Sequence, residues 1–225
     1  MVTVAITTAL QPLTGDFHFL WECLKVLLMM FWGSPTHIGS LCNLREFVRR
    51  VQVDKTGKVF NVCDEFILHA FKSHLLAAVC TQLKLQSLDT PIVHDQNLQW
   101  LETTAEAIVT QNLYPTTSTD TVYGLHRSFL HIAYLYVDLR NAIRYEYGEH
   151  IIRHWKWWLP RFLATGCKNY AIEAANLIAN VTAKFPKHVA YLTIHNRTVN
   201  MDGRPGHGKP IDQLMEHYNL YVPLW

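Results

Sequence analysis

A chain of 225 residues, 49% hydrophobic and 17% charged, can bury a sizeable core, and this composition excludes a disordered chain. The net charge of +2, with histidines neutral, gives no global positive field, so nucleic acid could bind only through a local basic patch. The five cysteines contain no CxxC pair, which disfavours a zinc ribbon or a disulfide framework and indicates a reducing, intracellular compartment.

The chain is predicted to begin with a strand and a long apolar helix. Residues 1–14 alternate weakly in polarity, which favours a short strand. Asp16 stands where the N-cap of the following helix is expected. The most apolar run, 19–32, contains Glu22 and Lys25 and is shorter than the ~20 residues of a membrane span. We therefore expect a core helix here and no membrane partner.

Helical patterns follow one another to the end of the chain. Ser40 is predicted to cap the second helix, and the polar segment 114–120 is the best internal linker. The chain is therefore predicted to be mainly α, one globular domain over 1–225 with eight or nine helices and at most one or two short strands near the N-terminus. After the first helix, we expect helices at about 40–51, 59–85, 95–112, 121–147, 150–163, 168–184, 186–199 and from 211 onwards.

A glycine-rich stretch, 203–209, contains G-x-x-x-x-G-K, the first part of a nucleotide-binding P-loop. Pro210 stands where the P-loop needs a Ser or Thr hydroxyl to hold Mg²⁺, and no clear apolar strand precedes the loop. The stretch therefore predicts the start of a helix and no nucleotide cofactor. Arg204 and Lys209 could still contact nucleic-acid phosphates as simple cations, which keeps DNA as a candidate partner.

Two histidines, His150 and His154, stand four residues apart, which is the spacing of a metal-ligand pair on a helix. Ile151 replaces the Glu of an HExxH motif, and the sequence offers no evident third ligand. A surface or core histidine pair is favoured, so neither zinc nor haem is expected. The segment 153–158 alternates indoles with cations, and core packing is favoured over a base-stacking platform.

The acidic residues are the most informative candidates for a metal-binding or catalytic role. Asp212 and Glu216 lie at i and i+4 at the start of the last helix and therefore share a face. Asp16 stands two residues before His18. Convergent carboxylates can bind divalent metals for phosphoryl transfer. Spacing alone, however, favours ordinary helix-start roles for Asp16 and Asp212.

An ordered set of motifs spans almost the whole chain and resembles a fungal domain family of unknown function, found in transposon-like open reading frames of mushroom-forming fungi. The motifs are GDFHFLWECLKVLLMMFWG at 15–33, GSL at 39–41, CDEF at 63–66, KNYAIE at 168–173 and VNMDGRPGHGKPIDQLMEHYN at 199–219.

This family in turn resembles RNase H-like transposases whose catalytic core is interrupted by a helical insertion. The resemblance implies that Asp16 and Glu216 hold Mg²⁺ or Mn²⁺, and the i,i+4 spacing of the acidic pair adds Asp212 as a third candidate ligand. Asp16, His18 and Glu216 would be the catalytic residues of a DNA strand-transferase or nuclease. Glu173 is the alternative to Glu216 as the last metal ligand.

The N-terminus departs from the transposase pattern, which has an earlier Asp and several strands before the position of Asp16. Only 15 residues precede Asp16 here, so we expect the C-terminal part of a larger ancestral protein, catalytically incomplete. This hypothesis of a transposase-derived domain implies that DNA is a partner and that the protein is nuclear. The rival hypothesis is a non-enzymatic helical module for protein interaction or homo-oligomerisation.

Overall fold

The computed structural model describes residues 14–91, 97–112 and 120–219, and these contain nine α-helices, a π-helical turn and two strands of two residues. The prediction of a mainly α chain with eight or nine helices is confirmed. The helices are α1 (Asp16–Phe31), α2 (Leu41–Phe47), α3 (Phe60–Leu83), α4 (Leu98–Asn112), α5 (Thr121–Arg144), α6 (Gly148–Ala164), α7 (Lys168–Ala179), α8 (Lys187–His195) and α9 (Ile211–Asn219).

The two described strands, β1 (Thr198–Val199) and β2 (Lys209–Pro210), pair antiparallel and lie near the C-terminus rather than the N-terminus. Two-residue strands are too short for the alternating polarity by which a strand is predicted. The strand predicted at 1–14 and the linker predicted at 114–120 lie outside the described residues, apart from Thr14 and Asp120.

The ends of the helices differ from the predicted ends by a few residues, because caps and turns set them more than helical spacing does. The predicted cap of α2 is confirmed, because the backbone N–H of Asn43 donates to the Ser40 hydroxyl over 3.1 Å. The helix then ends at Phe47 rather than near 51. Helix α7 continues into the π-helical turn Asn180–Lys184, and α8 ends at His195, just before β1.

The chain divides into two units. Unit 1 comprises Met1–Cys23 and Asp138–Trp225, and unit 2 comprises Leu24–Val137. The boundaries fall inside α1 and inside α5.

In unit 1, α6 packs against α7 and α8. The indoles of Trp155 and Trp158 are fully buried, as is the ring of Phe162. The core role expected for the segment 153–158 is thus confirmed for two of its three indoles, while Trp157 is half exposed.

In unit 2, the apolar face of α1 forms part of the core together with α3 and α5. Leu24, Leu27 and Leu28 are fully buried, which confirms the expected core helix. A buried hydrogen bond joins α5 to α3, because the Tyr136 hydroxyl donates to Asp64 Oδ1 over 2.7 Å. This bond satisfies a carboxylate that burial would otherwise penalise.

One described helix, α3, is long and apolar enough to cross a membrane by length and composition alone. In its most apolar 18-residue window, 22% of residues are buried. Core helices of soluble proteins pass the same test, so this feature is weak evidence for a membrane span. The absence of a membrane partner stays a prediction.

A half-buried histidine pair connects α3 with α5 inside unit 2. The Nδ1 atoms of His74 and His126 lie 2.5 Å apart, and the rings stack with centroids separated by 4.8 Å. Burial, followed by repulsion from His126, lowers the pKa of His74 to about 4. Burial also lowers the pKa of His126. The folded His74 is therefore neutral at pH 6, whereas an unfolded histidine is half protonated near pH 6.5.

This difference in pKa between the folded and unfolded states predicts that the protein becomes less stable in acid. Because the folded pKa of His74 lies below its unfolded value, the unfolded state binds more protons, and stability falls as the pH decreases from about 6.5 towards about 4. Urea unfolding measured between pH 7.5 and pH 4.5 should show a smaller loss in His74→Gln. The same change at exposed His188 serves as the control, and an equal pH dependence in wild type and His74→Gln contradicts the interpretation.

Candidate functional site

The acidic residues singled out by the sequence lie around the N-terminal end of α1 in unit 1. Asp16 and His18 belong to the first turn of α1, while Asp212 and Glu216 stand one turn apart on α9. A cavity of about 410 Å³ opens beside them. Its walls combine polar and apolar side chains, among them Asp16, Arg197, Asp212, Leu192, Ile211 and Met215.

The Asp16 carboxylate is buried, with 2% of the residue exposed, and it is held by two partners. Arg197 donates from Nε to Oδ2 over 2.7 Å and from Nη2 to Oδ1 over 2.6 Å. The indole N–H of Trp155 donates to Oδ1 over 3.1 Å. Because α1 begins at Asp16 itself, Asp16 is the first residue of the helix and not the expected N-cap. Its carboxylate takes the guanidinium, since a carboxylate buried this deeply needs a cation.

Further contacts fix this buried pair in unit 1. Arg197 Nη2 also donates to the carbonyl of Thr14 over 3.0 Å, and its guanidinium lies 6.0 Å from the Trp155 ring centre. The Trp155 ring in turn stacks on Phe19 with centroids 3.8 Å apart. The pair thus joins the start of α1 to α6 and to the segment between α8 and β1.

Asp212 supplies the missing cap of α1 from the other end of the chain. Its carboxylate accepts hydrogen bonds from the backbone N–H groups of Phe17 and His18, at 3.1 and 3.2 Å. These are donors that the first turn of a helix leaves without intrahelical partners. A Cβ on Gly15 would lie 2.0 Å from Asp212 Oδ2, so the approach of this carboxylate requires glycine.

The imidazole of His18 lies between two carboxylates. Its Nδ1 is 3.0 Å from Asp212 Oδ2, and its Nε2 is 3.1 Å from Glu216 Oε1. The His18 side chain is 45% exposed, so water screens these contacts and they contribute little to stability. Both ring nitrogens of His18 therefore face protein carboxylates.

Glu173, the alternative last ligand, lies on α7 and accepts a hydrogen bond from the Thr14 hydroxyl over 2.8 Å. Other carboxylates in the same region give it a negative charge. Burial, followed by the charges of Glu22 and Asp212, raises the pKa of the Tyr170 hydroxyl to about 12. The structure therefore brings His18, Asp212 and Glu216 into contact, while Arg197 engages both oxygens of Asp16.

Residues 200–208, which include most of the glycine-rich stretch and are called the glycine loop from here on, connect β1 to β2. This loop packs on the C-terminal end of α5. The backbone N–H of Gly208 donates to the Arg144 carbonyl over 2.9 Å, and Arg144 Nε donates to the Gly206 carbonyl over 3.0 Å. A Cβ on Gly208 would lie 2.7 Å from the Ile143 carbonyl oxygen, so glycine permits this close approach. The loop turns the chain and satisfies a carbonyl at a helix end.

Arg204 in this loop and Lys209 at the start of β2 are exposed, and neither makes an ion pair with a residue that the structure describes. Asp202 organises the loop instead. Its carboxylate accepts from the Arg204 backbone N–H over 3.2 Å and lies 2.8 Å from His207 Nδ1. The backbone hydrogen bond, followed by the His207 contact, lowers the pKa of Asp202.

A second cluster in unit 1 contains a residue that the sequence reasoning missed. Asp138 of α5 lies against His150 and His154 of α6, and one potential ligand atom from each lies within 4.8 Å of the other two. Burial lowers the pKa of His154 to about 4, opposed by the charge of Asp138. The i,i+4 histidine spacing was the available sequence signal. Asp138 stands on the preceding helix, where spacing could not identify it.

The burial of the Asp16–Arg197 pair predicts strong energetic coupling. Asp16→Asn and Arg197→Met should each lower the free energy of unfolding by about 3–5 kcal/mol, because either change leaves the other group buried without its partner. The double variant should lose much less than the sum, as measured by urea unfolding. An equivalent cycle at exposed Asp202 and His207 should show almost no coupling, and additive losses at Asp16 and Arg197 contradict a buried pair.

Comparison with known proteins places the chain in a family. The sequence profile of one family, described only as a family of unknown function, matches residues 6–223. No curated protein and no solved structure matches the chain. The match agrees with the membership in a family of unknown function that the ordered motifs indicate. With nearly its whole length matched, the chain belongs to the family of unknown function DUF6589.

Proposed function

We propose that this chain is a transposase-derived helical domain in which the position of the catalytic Asp now serves stability, so that no working phosphoryl-transfer site remains. The observation that carries the proposal is the Arg197 guanidinium on the buried Asp16 carboxylate. The relation to transposases is supported by the order of the motifs, from GDFH at 15–18 to the glycine-rich stretch at 203–209.

Metal-dependent phosphoryl transfer needs carboxylate oxygens that face the metal ions. Arg197 engages both oxygens of Asp16, and its positive charge repels a divalent cation. Displacing Arg197 would leave a guanidinium, itself 7% exposed, without its carboxylate. Because breaking a buried pair is strongly destabilising, a metal at Asp16 would have to offset that loss before it could bind.

Residual binding of Mg²⁺ or Mn²⁺ is left to Asp212 and Glu216, which lie on the same face of α9. The Asp212 carboxylate already caps α1, so a metal there competes with two backbone hydrogen bonds. We therefore expect weak binding. Contact with DNA phosphates is left to Arg204 and Lys209, whose exposure is compatible with this role.

A second candidate function, protein interaction, is favoured by apolar side chains exposed around the cavity. Leu192 of α8 is 52% exposed, and Met215 of α9 is 59% exposed. Tyr191 and Tyr218 on the same two helices are also more than half exposed. Grouped apolar side chains at a surface are typical of interaction sites. Such a module would need no chemistry at Asp16.

Strand-cleavage assays test the proposal. Wild-type protein incubated with supercoiled plasmid and with labelled duplex oligonucleotides should give no cleavage above the buffer background in Mg²⁺ or Mn²⁺. Glu216→Gln is the diagnostic variant, because Glu216 is exposed and its loss should not unfold the chain. Metal-dependent cleavage that disappears in Glu216→Gln, but persists in the His207→Gln control, contradicts an inactive site.

A further inference from the structure

We infer that Asp138, His150 and His154 form a binding site for a zinc-class divalent cation, with two imidazole nitrogens and one carboxylate oxygen as ligands. The site belongs to unit 1 and shares no residue with the Asp16 cluster. It is independent of the proposed function.

The distances between the potential ligand atoms support coordination of one ion. His150 Nε2 lies 2.8 Å from Asp138 Oδ2, and His154 Nε2 lies 3.2 Å from the same oxygen. Tetrahedral zinc with bonds of about 2.0–2.2 Å separates neighbouring ligand atoms by roughly 3.4 Å. Small side-chain rotations would therefore admit the ion between the three groups.

The local structure holds both imidazoles in place. His150 and His154 lie on one face of α6, and their rings meet edge to face at 89° with centroids 4.9 Å apart. The ring of Trp157 also meets both imidazoles edge to face, with its centroid 5.9 Å from that of His150 and 5.0 Å from that of His154. His154 is fully buried. Since the ligands are already oriented, binding loses little side-chain freedom.

The ligand set selects the class of metal. Two imidazoles and one carboxylate suit Zn²⁺, Co²⁺ and Fe²⁺, whereas Mg²⁺ prefers oxygen ligands throughout. Three protein ligands leave a fourth position for water. A cavity of about 370 Å³, lined by His150, Glu149, Arg153 and His195 among others, lies beside the cluster. The arrangement is that of a metal site with one open position, within reach of small molecules.

Metal titration tests this inference. Protein freed of metal with a chelator should bind one equivalent of Zn²⁺ by calorimetry and give the visible absorption of tetrahedral Co²⁺. His150→Gln and Asp138→Asn should each weaken Zn²⁺ binding at least about tenfold, because each removes or weakens one ligand. Zn²⁺ should also raise the melting temperature of the wild type and much less that of either variant.

The matched control is His207→Gln, which removes an exposed imidazole 2.8 Å from a different carboxylate, that of Asp202. This variant should bind Zn²⁺ as the wild type does. The inference is overturned if the wild type binds no stoichiometric metal, or if His207→Gln loses as much affinity as His150→Gln. It is equally overturned if Mg²⁺ raises the melting temperature as much as Zn²⁺ does.

Discussion

The buried ion pair between Asp16 and Arg197 is the interaction on which the arrangement of unit 1 depends. It joins residues 181 positions apart in the sequence, and it fixes the start of α1 against the segment that leads into β1. A buried carboxylate without a cation would be strongly unfavourable, so the two groups require each other. Trp155 completes the pair with its indole N–H and connects it to the aromatic core of α6.

This constraint changes how the other acidic residues are understood. Asp212 caps α1 from the last described helix, and Gly15 leaves the space that the carboxylate needs. Two of the three carboxylates expected at one metal site therefore have structural roles at the start of α1. The histidines set aside by the sequence reasoning gain a third potential ligand from Asp138. The metal site that we infer thus lies at α5 and α6 rather than at α1 and α9.

The local features of the fold were predictable from the sequence, because they depend on neighbouring residues. Helical spacing located α1, and Ser40 marked the start of α2. The partners of Asp16 could not be predicted, since no local pattern links it to Arg197 or Trp155. Asp138 was missed for the same reason, as it stands 12 residues before His150 and across a helix boundary. The glycine loop was similarly ambiguous until its packing against Arg144 was known.

We propose that Asp16 acts as the partner of Arg197 and not as a metal ligand. Anomalous diffraction from crystals soaked in millimolar Mn²⁺ tests this most directly, because the signal locates the ion without reference to activity. We expect no manganese peak at the Asp16 carboxylate and an Arg197 guanidinium that stays bound to both oxygens. A manganese ion coordinated by Asp16, with Arg197 displaced, would contradict it.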